Sequence, residues 1–224
     1  SHGQGKSCVV LQDGRVMLIS QTRGDAPSQC ELYNPKLGTW KKIGAPKVPR
    51  FHAQLTLLKD GRVLVSGGAV FVEGPQSIEV QSHCEIWDPK TFMWVDAAPM
   101  NSARYEHQAV LLNDGSVLAI GGHTKSIERW HLDGDWEKVD GLAYKIHIHQ
   151  ALLVGEHVLV VGGAKNKPWE AYSPTGTQCE SWLIDTTTFT RTSGGKMSTP
   201  RENLGLVKLN DGRVLALGGI NEST

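Results

Sequence analysis

An excess of charge of either sign is missing from this chain. Its 23 Lys and Arg balance 23 Asp and Glu, so no net field draws it toward nucleic acid or an anionic membrane, and neither is expected as a partner. Long apolar runs are missing too. The longest are strand-sized and broken by Asp-Gly or Gly-Gly, and residues 1–7, SHGQGKS, lack the apolar stretch of a secretion signal. Cysteine is scarce, four in all, and no C-x-x-C spacing supports zinc binding. Gly-x-Ser-x-Gly, His-Glu-x-x-His and Walker-type motifs are absent, which removes the usual hydrolase, metalloprotease and nucleotide-binding readings. What remains is an ordinary globular composition, 39% hydrophobic and 21% charged over 224 residues, enough for one core or an array of small ones.

Five copies of one pattern fill that length: CVVLQDGRVMLIS at 8–20, LTLLKDGRVLVSGG at 55–68, AVLLNDGSVLAIGG at 109–122, ALLVGEHVLVVGG at 151–163 and LVKLNDGRVLALGG at 206–219. Each is two apolar runs joined by a polar turn, and self-similarity at about 40–55 residues points to a repeat architecture. Asp-Gly between alternating apolar residues predicts a two-residue type I′ hairpin turn with positive φ at both positions. The fourth copy has Gly155-Glu156 instead, is one residue shorter, and should turn differently. The glycine pairs at 67–68, 121–122, 162–163 and 218–219 read as tight bends, since no helix pattern follows to make a phosphate cradle.

A second half follows each glycine pair after a variable loop: CELYNPKLGTWKKI at 30–43, CEIWDPKTFMWVDA at 84–97, IERWHLDGDWEKV at 127–139 and CESWLIDTTTFTRT at 179–192. Tyr33, Trp87, Trp130 and Trp182 take one place in it, and Trp40, Trp94, Trp136 and Phe189 another across a turn, as packing of one sheet on the next requires. Together the halves make a four-stranded antiparallel unit that resembles the kelch repeat, with its diglycine and spaced aromatics. The resemblance covers essentially the whole chain and implies an all-β kelch-type β-propeller, each repeat one blade around a central channel. The expected blades run about 7–46, 50–99, 104–140 and 145–195, with a two-stranded half-blade at 201–220, as a single propeller domain or propeller fragment over 1–224. The open edges of that half-blade predict a longer parent propeller, completion by another copy or partner, or a fifth blade of two strands.

The DGRVLVSGG style is also similar to the galactose oxidase and glyoxal oxidase propellers. Their copper site needs an adjacent Tyr-His pair and a cysteine crosslinked to tyrosine. The nearest echo here is Tyr105-Glu106-His107, with Tyr33, Tyr144 and Tyr172 the other tyrosines, so the copper site is not carried over and no cofactor is expected.

Counting nineteen positions back from each second glycine reaches Arg50, Arg104, Lys145 and Arg201, a recurring cation at the entrance to the first strand. Such a partial ring at the channel mouth could bind a carboxylate, phosphate or acidic peptide; equally, each could hold its own blade together through the recurring Glu31, Glu85, Glu128 and Glu180. His52, His107, His147 and His149 follow the same corner. His147 and His149, two apart, would share one strand face, yet two ligands do not make a metal site, and none is expected. Cys30, Cys84 and Cys179 share one position with Ile127 and read as small buried hydrophobes, unpaired thiols that suit a reducing, cytoplasmic setting.

The leading functional expectation is a non-enzymatic scaffold that meets a protein partner through the variable loops, with Phe71 and Trp169 as anchors. The first alternative is sugar or anionic small-molecule binding or catalysis in the channel by the corner residues, with Glu106 as acid or base. The second is self-association into a homo-oligomer through the incomplete blade.

Overall fold

The structure, a computed structural model, describes residues 7–20, 28–72, 77–132, 134–165 and 177–220, and every regular element among them is a strand. Four antiparallel sheets of four strands follow in chain order. The first holds Ser7–Val10, Val16–Ser20, Gln29–Asn34 and Thr39–Ile43, and the second Gln54–Leu57, Val63–Ser66, Cys84–Asp88 and Met93–Ala97. The third holds Gln108–Leu111, Val117–Ile120, Ser126–Trp130 and Trp136–Gly141, and the fourth Gln150–Val154, His157–Val161, Glu180–Asp185 and Arg191–Lys196. Gly205–Lys208 and Val214–Leu217 pair as a two-stranded sheet. Two short ladders are added beside the glycine pairs: Ala69–Phe71 with Ile78–Val80, and Ile146–His147 with Ala164–Lys165.

The Asp-Gly turns are not type I′. Gly14, Gly61, Gly115 and Gly212 have positive φ, but none of the preceding aspartates does. Leu11 N–H donates to Arg15 O at 2.8 Å and Gly14 N–H to Leu11 O at 3.0 Å, a three-residue loop built on a type I turn with glycine in the left-handed region. The same pair of bonds recurs at Leu58, Leu112 and Leu209. Aspartate is therefore selected for its side chain: Asp13 Oδ1 accepts Arg15 N–H at 3.0 Å and Oδ2 accepts Arg15 Nε–H at 2.7 Å, and Asp60-Arg62 and Asp211-Arg213 repeat this. In the fourth sheet Val154 pairs directly with His157 and only Gly155 has positive φ, so the shorter loop does turn differently, with glycine first as in type II′.

Side-chain register also shifts in the fourth sheet. Val63 faces Trp87 and Val117 faces Trp130, each five residues before the second glycine; at that place Val158 faces Ile184, not Trp182. Trp182 pairs with Val160 instead, two residues short of the expected place, and the bulge opposite Ser181/Trp182 belongs to the last strand, where Gly194 is passed over between Ser193 and Gly195. Phe189 shares its left-handed φ and its bond to the aspartate four residues earlier with Phe92, so it matches Phe92 and not Trp94. Arg191 then stands at the tryptophan place and performs its bond. Trp94 Nε1–H reaches Gly44 O at 2.7 Å and Trp136 Nε1–H reaches Ala98 O at 3.0 Å; Arg191 Nη1–H reaches Gly141 O at 3.1 Å.

The chain divides into two compact units, one of residues up to Tyr105 with His131–Trp136, the other of Glu106–Trp130 and residues from Glu137 on. In the first, Met17, Leu32, Val63 and Trp87 form a core; in the second, Leu118, Ile120, Ile127, Val158, Val160 and Ile184 do. Each of these side chains is essentially removed from water and contributes about 1.5–3 kcal/mol of burial. Within the units the first strands of successive sheets lie together, Ser7–Val10 against Gln54–Leu57, and Gln150–Val154 against both Gln108–Leu111 and Gly205–Lys208. Strands entering side by side in this way are how propeller blades share an inner edge.

Candidate functional site

The corner before each first strand carries the chemistry, and its backbone explains why. Gly68 N–H donates to Arg104 O, Gly122 N–H to Ile146 O and Gly163 N–H to Arg201 O, all at 2.8 Å. These bonds need glycine. At Gly163 φ is +90°, and a Cβ would lie 2.7 Å from His147 O. They also set the register: Ile146, not Lys145, matches Arg104 and Arg201, because the shortened fourth turn moves the count by one. Lys145 is exposed, while Ile146 is fully buried.

Arg50 spends its guanidinium inside its own unit. Nε–H donates to Val48 O at 3.2 Å, Nη1 to Gly67 O at 3.1 Å and His83 O at 2.6 Å, and Nη2 to Glu85 Oε1 at 2.6 Å. Glu85 Oε2 accepts Lys47 N–H at 2.8 Å. Burial lowers the Arg50 pKa and the Glu85 carboxylate opposes that shift. Arg201 likewise donates Nη1–H to Gly218 O at 3.1 Å but is half-buried, and Arg104 is fully buried with Nε 3.4 Å from Ser102 O. Where Ile146 replaces the cation, the Tyr144 hydroxyl reaches Glu180 Oε2 at 3.2 Å, and burial with this carboxylate raises the tyrosine pKa.

Two residues after the arginine place, each corner turns left-handed without glycine: His52, Glu106, Ile148 and Asn203 have φ between 52 and 54°. Such a conformation costs roughly 1–2 kcal/mol per residue. In the second unit its return is a bond between successive corners, Ile148 N–H to Glu106 O at 3.3 Å and Asn203 N–H to Ile148 O at 3.0 Å. The turn at Ile148 also breaks strand alternation, so His147 and His149 do not share a face. His149 packs on Gly121 and Gly163, and His147 turns to Glu106.

There a cluster forms. Glu106 Oε2 lies 3.0 Å from His123 Nε2 and 3.2 Å from His147 Nδ1, and the two imidazoles stack with centroids 4.1 Å apart at 25°. Side-chain exposure is 18% for Glu106, 15% for His123 and 7% for His147. Burial lowers the His123 pKa, the hydrogen bond to Glu106 resists, and His147 and Lys145 add to the lowering. The three offer one carboxylate oxygen and two ring nitrogens within 4.8 Å of one another. His83, Glu85 and Asp96 make a similar trio in the first unit, but Glu85 Oε1 already holds the Arg50 guanidinium.

The remaining sequence candidates supply none of the three ligand atoms of this cluster. His52 lies beside Tyr105 with ring centroids 6.4 Å apart, and His107 is fully buried. Phe71 is half-buried and stacks on Phe51 at 4.6 Å; Trp169 lies outside the described residues. All four cysteines are free, and burial pushes the thiols of Cys30 and Cys84 up to about 12 and about 11, which leaves neither as a nucleophile at neutral pH. Sequence reasoning missed His123. Its signal was a departure from the repeat: it follows Gly121-Gly122, where other copies have Ala69, Ala164 and Ile220.

Scanned against models of known protein families, the chain matches none. It is 32% identical over 128 residues to Kelch-like protein 36 of Rattus norvegicus, a match covering 55% of this chain and 20% of that protein. It is 26% identical over 173 residues to Spermatocyte protein spe-26 of Caenorhabditis elegans, covering 71% of this chain and 30% of that one. The chain thus spans about a fifth to a third of the curated relatives it matches. Among solved structures that of YjhT aligns with a TM-score of 0.77 at 15% identity, covering 97% of this chain and 77% of the other, a likeness of fold. Diglycine bends, shared inner edges and these likenesses agree on one conclusion: the chain has a β-propeller fold and is similar, over part of its length, to kelch-like proteins.

Proposed function

We propose that the chain is a non-enzymatic interaction module that holds a protein partner through the segments inserted after the glycine pairs. The observation that carries this reading is their inequality on an otherwise repeated frame. The second copy inserts a hairpin, Ala69–Phe71 with Ile78–Val80, whereas the third passes from Gly122 to Ser126–Trp130 through three residues. A scaffold that repeats and insertions that do not are what a recognition surface requires. The resemblance to proteins named kelch-like supports it. So does the use of the Arg50 guanidinium on internal carbonyls and Glu85, which takes one cation from the anion-binding alternative.

The test is quantitative affinity capture with wild type and with a Phe71→Ala/Trp169→Ala double variant, alongside thermal shift with galactose, phosphate and dicarboxylates. A defined protein retained by wild type and released by the double variant is expected. Retention by both, or stabilisation by a small molecule that is lost in Arg201→Ala, overturns the reading.

Exposed Val207, Leu215 and Leu217 on the two-stranded sheet favour a second reading, addition of strands by another chain. Light scattering distinguishes it: a defined dimer supports it, and a monomer ends self-association.

A further inference from the structure

We propose that Glu106, His123 and His147 bind a divalent first-row transition metal ion, with zinc the best fit. A carboxylate and two imidazoles are a donor set for such ions, and zinc, having no geometric preference of its own, tolerates a site set by the protein. The 3.0 and 3.2 Å oxygen–nitrogen separations approach the edge of a tetrahedron built on metal–ligand bonds of about 2.0–2.2 Å. Three protein ligands leave a further position for water or an incoming anion.

The repeat supplies an independent line of argument. Where the third corner has Glu106, the others have His52, Ile148 and Asn203 in the same left-handed conformation, so the fold does not require a carboxylate there. Ala69, Ala164 and Ile220 serve where His123 stands, and Phe51, Tyr105 and Glu202 where His147 stands. One departure from an apolar place, His123, and two residues at places that no copy repeats, Glu106 and His147, converge on one spot. Residues that the frame does not dictate are free to serve something else.

His147 turns Nδ1 toward Glu106 and keeps Nε2 buried, in a side chain 7% exposed. An ion held at Nδ1 would fix the ring proton on Nε2 and so select one tautomer. The site also gathers one carboxylate and two stacked imidazoles in a partly dry space, where a dication offsets the carboxylate charge and removes the need for a second proton on either ring. Coordination requires the rings, now inclined by 25°, to splay so that each lone pair meets the ion.

The experiment titrates metal-stripped protein with Co²⁺, follows the visible absorption of the bound ion, and then displaces it with Zn²⁺. One ion per chain by native mass spectrometry is expected. Glu106→Gln and His123→Ala should each weaken binding by roughly ten-fold or more, while His83→Ala, in the other trio, leaves it unchanged. If a variant does not fold, ring resonances of the wild type decide, since those of His123 and His147 must shift on Zn²⁺ addition. No saturable binding by wild type, shifts confined to other histidines, or undiminished binding in both site variants overturns the proposal and leaves a hydrogen-bonded cluster.

Discussion

Arg50 and Glu85 meet at 2.6 Å with side-chain exposures of 0% and 1%, so neither charge has water to fall back on. Glu85→Ala strands the guanidinium and should destabilise the protein by about 3–5 kcal/mol. Chemical denaturation measures it, and a loss below about 1 kcal/mol would show that the pair is dispensable.

Glycine is needed for two separable reasons, and a pair of variants tells them apart. Gly14 has φ +85° and open space around a prospective Cβ, so Gly14→Ala should cost only the backbone conformation, about 1–2 kcal/mol. Gly163→Ala adds a clash with His147 O and with the His149 side chain and should cost clearly more. Equal losses in thermal melts would refute the close approach.

Asp114 is held down to about 2 although burial acts to raise it, because Ser116 donates from its hydroxyl and main chain and Arg129 forms an ion pair. A depressed carboxylate stabilises fully above its unfolded value near 4 and loses that contribution as pH falls toward 2. An Asp114→Asn variant should therefore lose less stability than wild type across that window. Parallel acid limbs would contradict it.

His123 titrates below its ordinary 6.5 in the metal-free protein, since burial disfavours the charged ring. The unfolded chain takes up the proton first, so stability is complete above about pH 6.5 and declines as pH falls toward the folded value. Ring NMR should place the midpoint under 6.5, and His123→Ala should flatten the decline. A midpoint above 6.5 would mean that Glu106 outweighs burial.

The blades were legible because their signals are local: a period-two apolar run, an aspartate and glycine in a turn, a glycine pair at a strand end. What failed was counting. Removing one residue at Gly155-Glu156 moved the arginine place from Lys145 to Ile146, and a two-residue offset in the third strand of the fourth sheet moved Trp182 off the place of Trp87, where Ile184 stands. Spacing in sequence survives neither change, whereas hydrogen bonds such as Gly122 N–H to Ile146 O do. The cluster was half legible. Glu106 and His147 lay among the corner residues, but His123 is 17 residues from Glu106 and reaches it only because the strand between them returns through a hairpin.

The left-handed corners have a consequence for how such a protein can change. Glu106, Ile148 and Asn203 are joined in series by main-chain bonds alone, so the joint is indifferent to the side chain it carries. An acid, a branched alkyl group and an amide already occupy it within one molecule. A new reactive group can therefore be installed at one corner without renegotiating the others, and the frame becomes a set of independent sockets for chemistry.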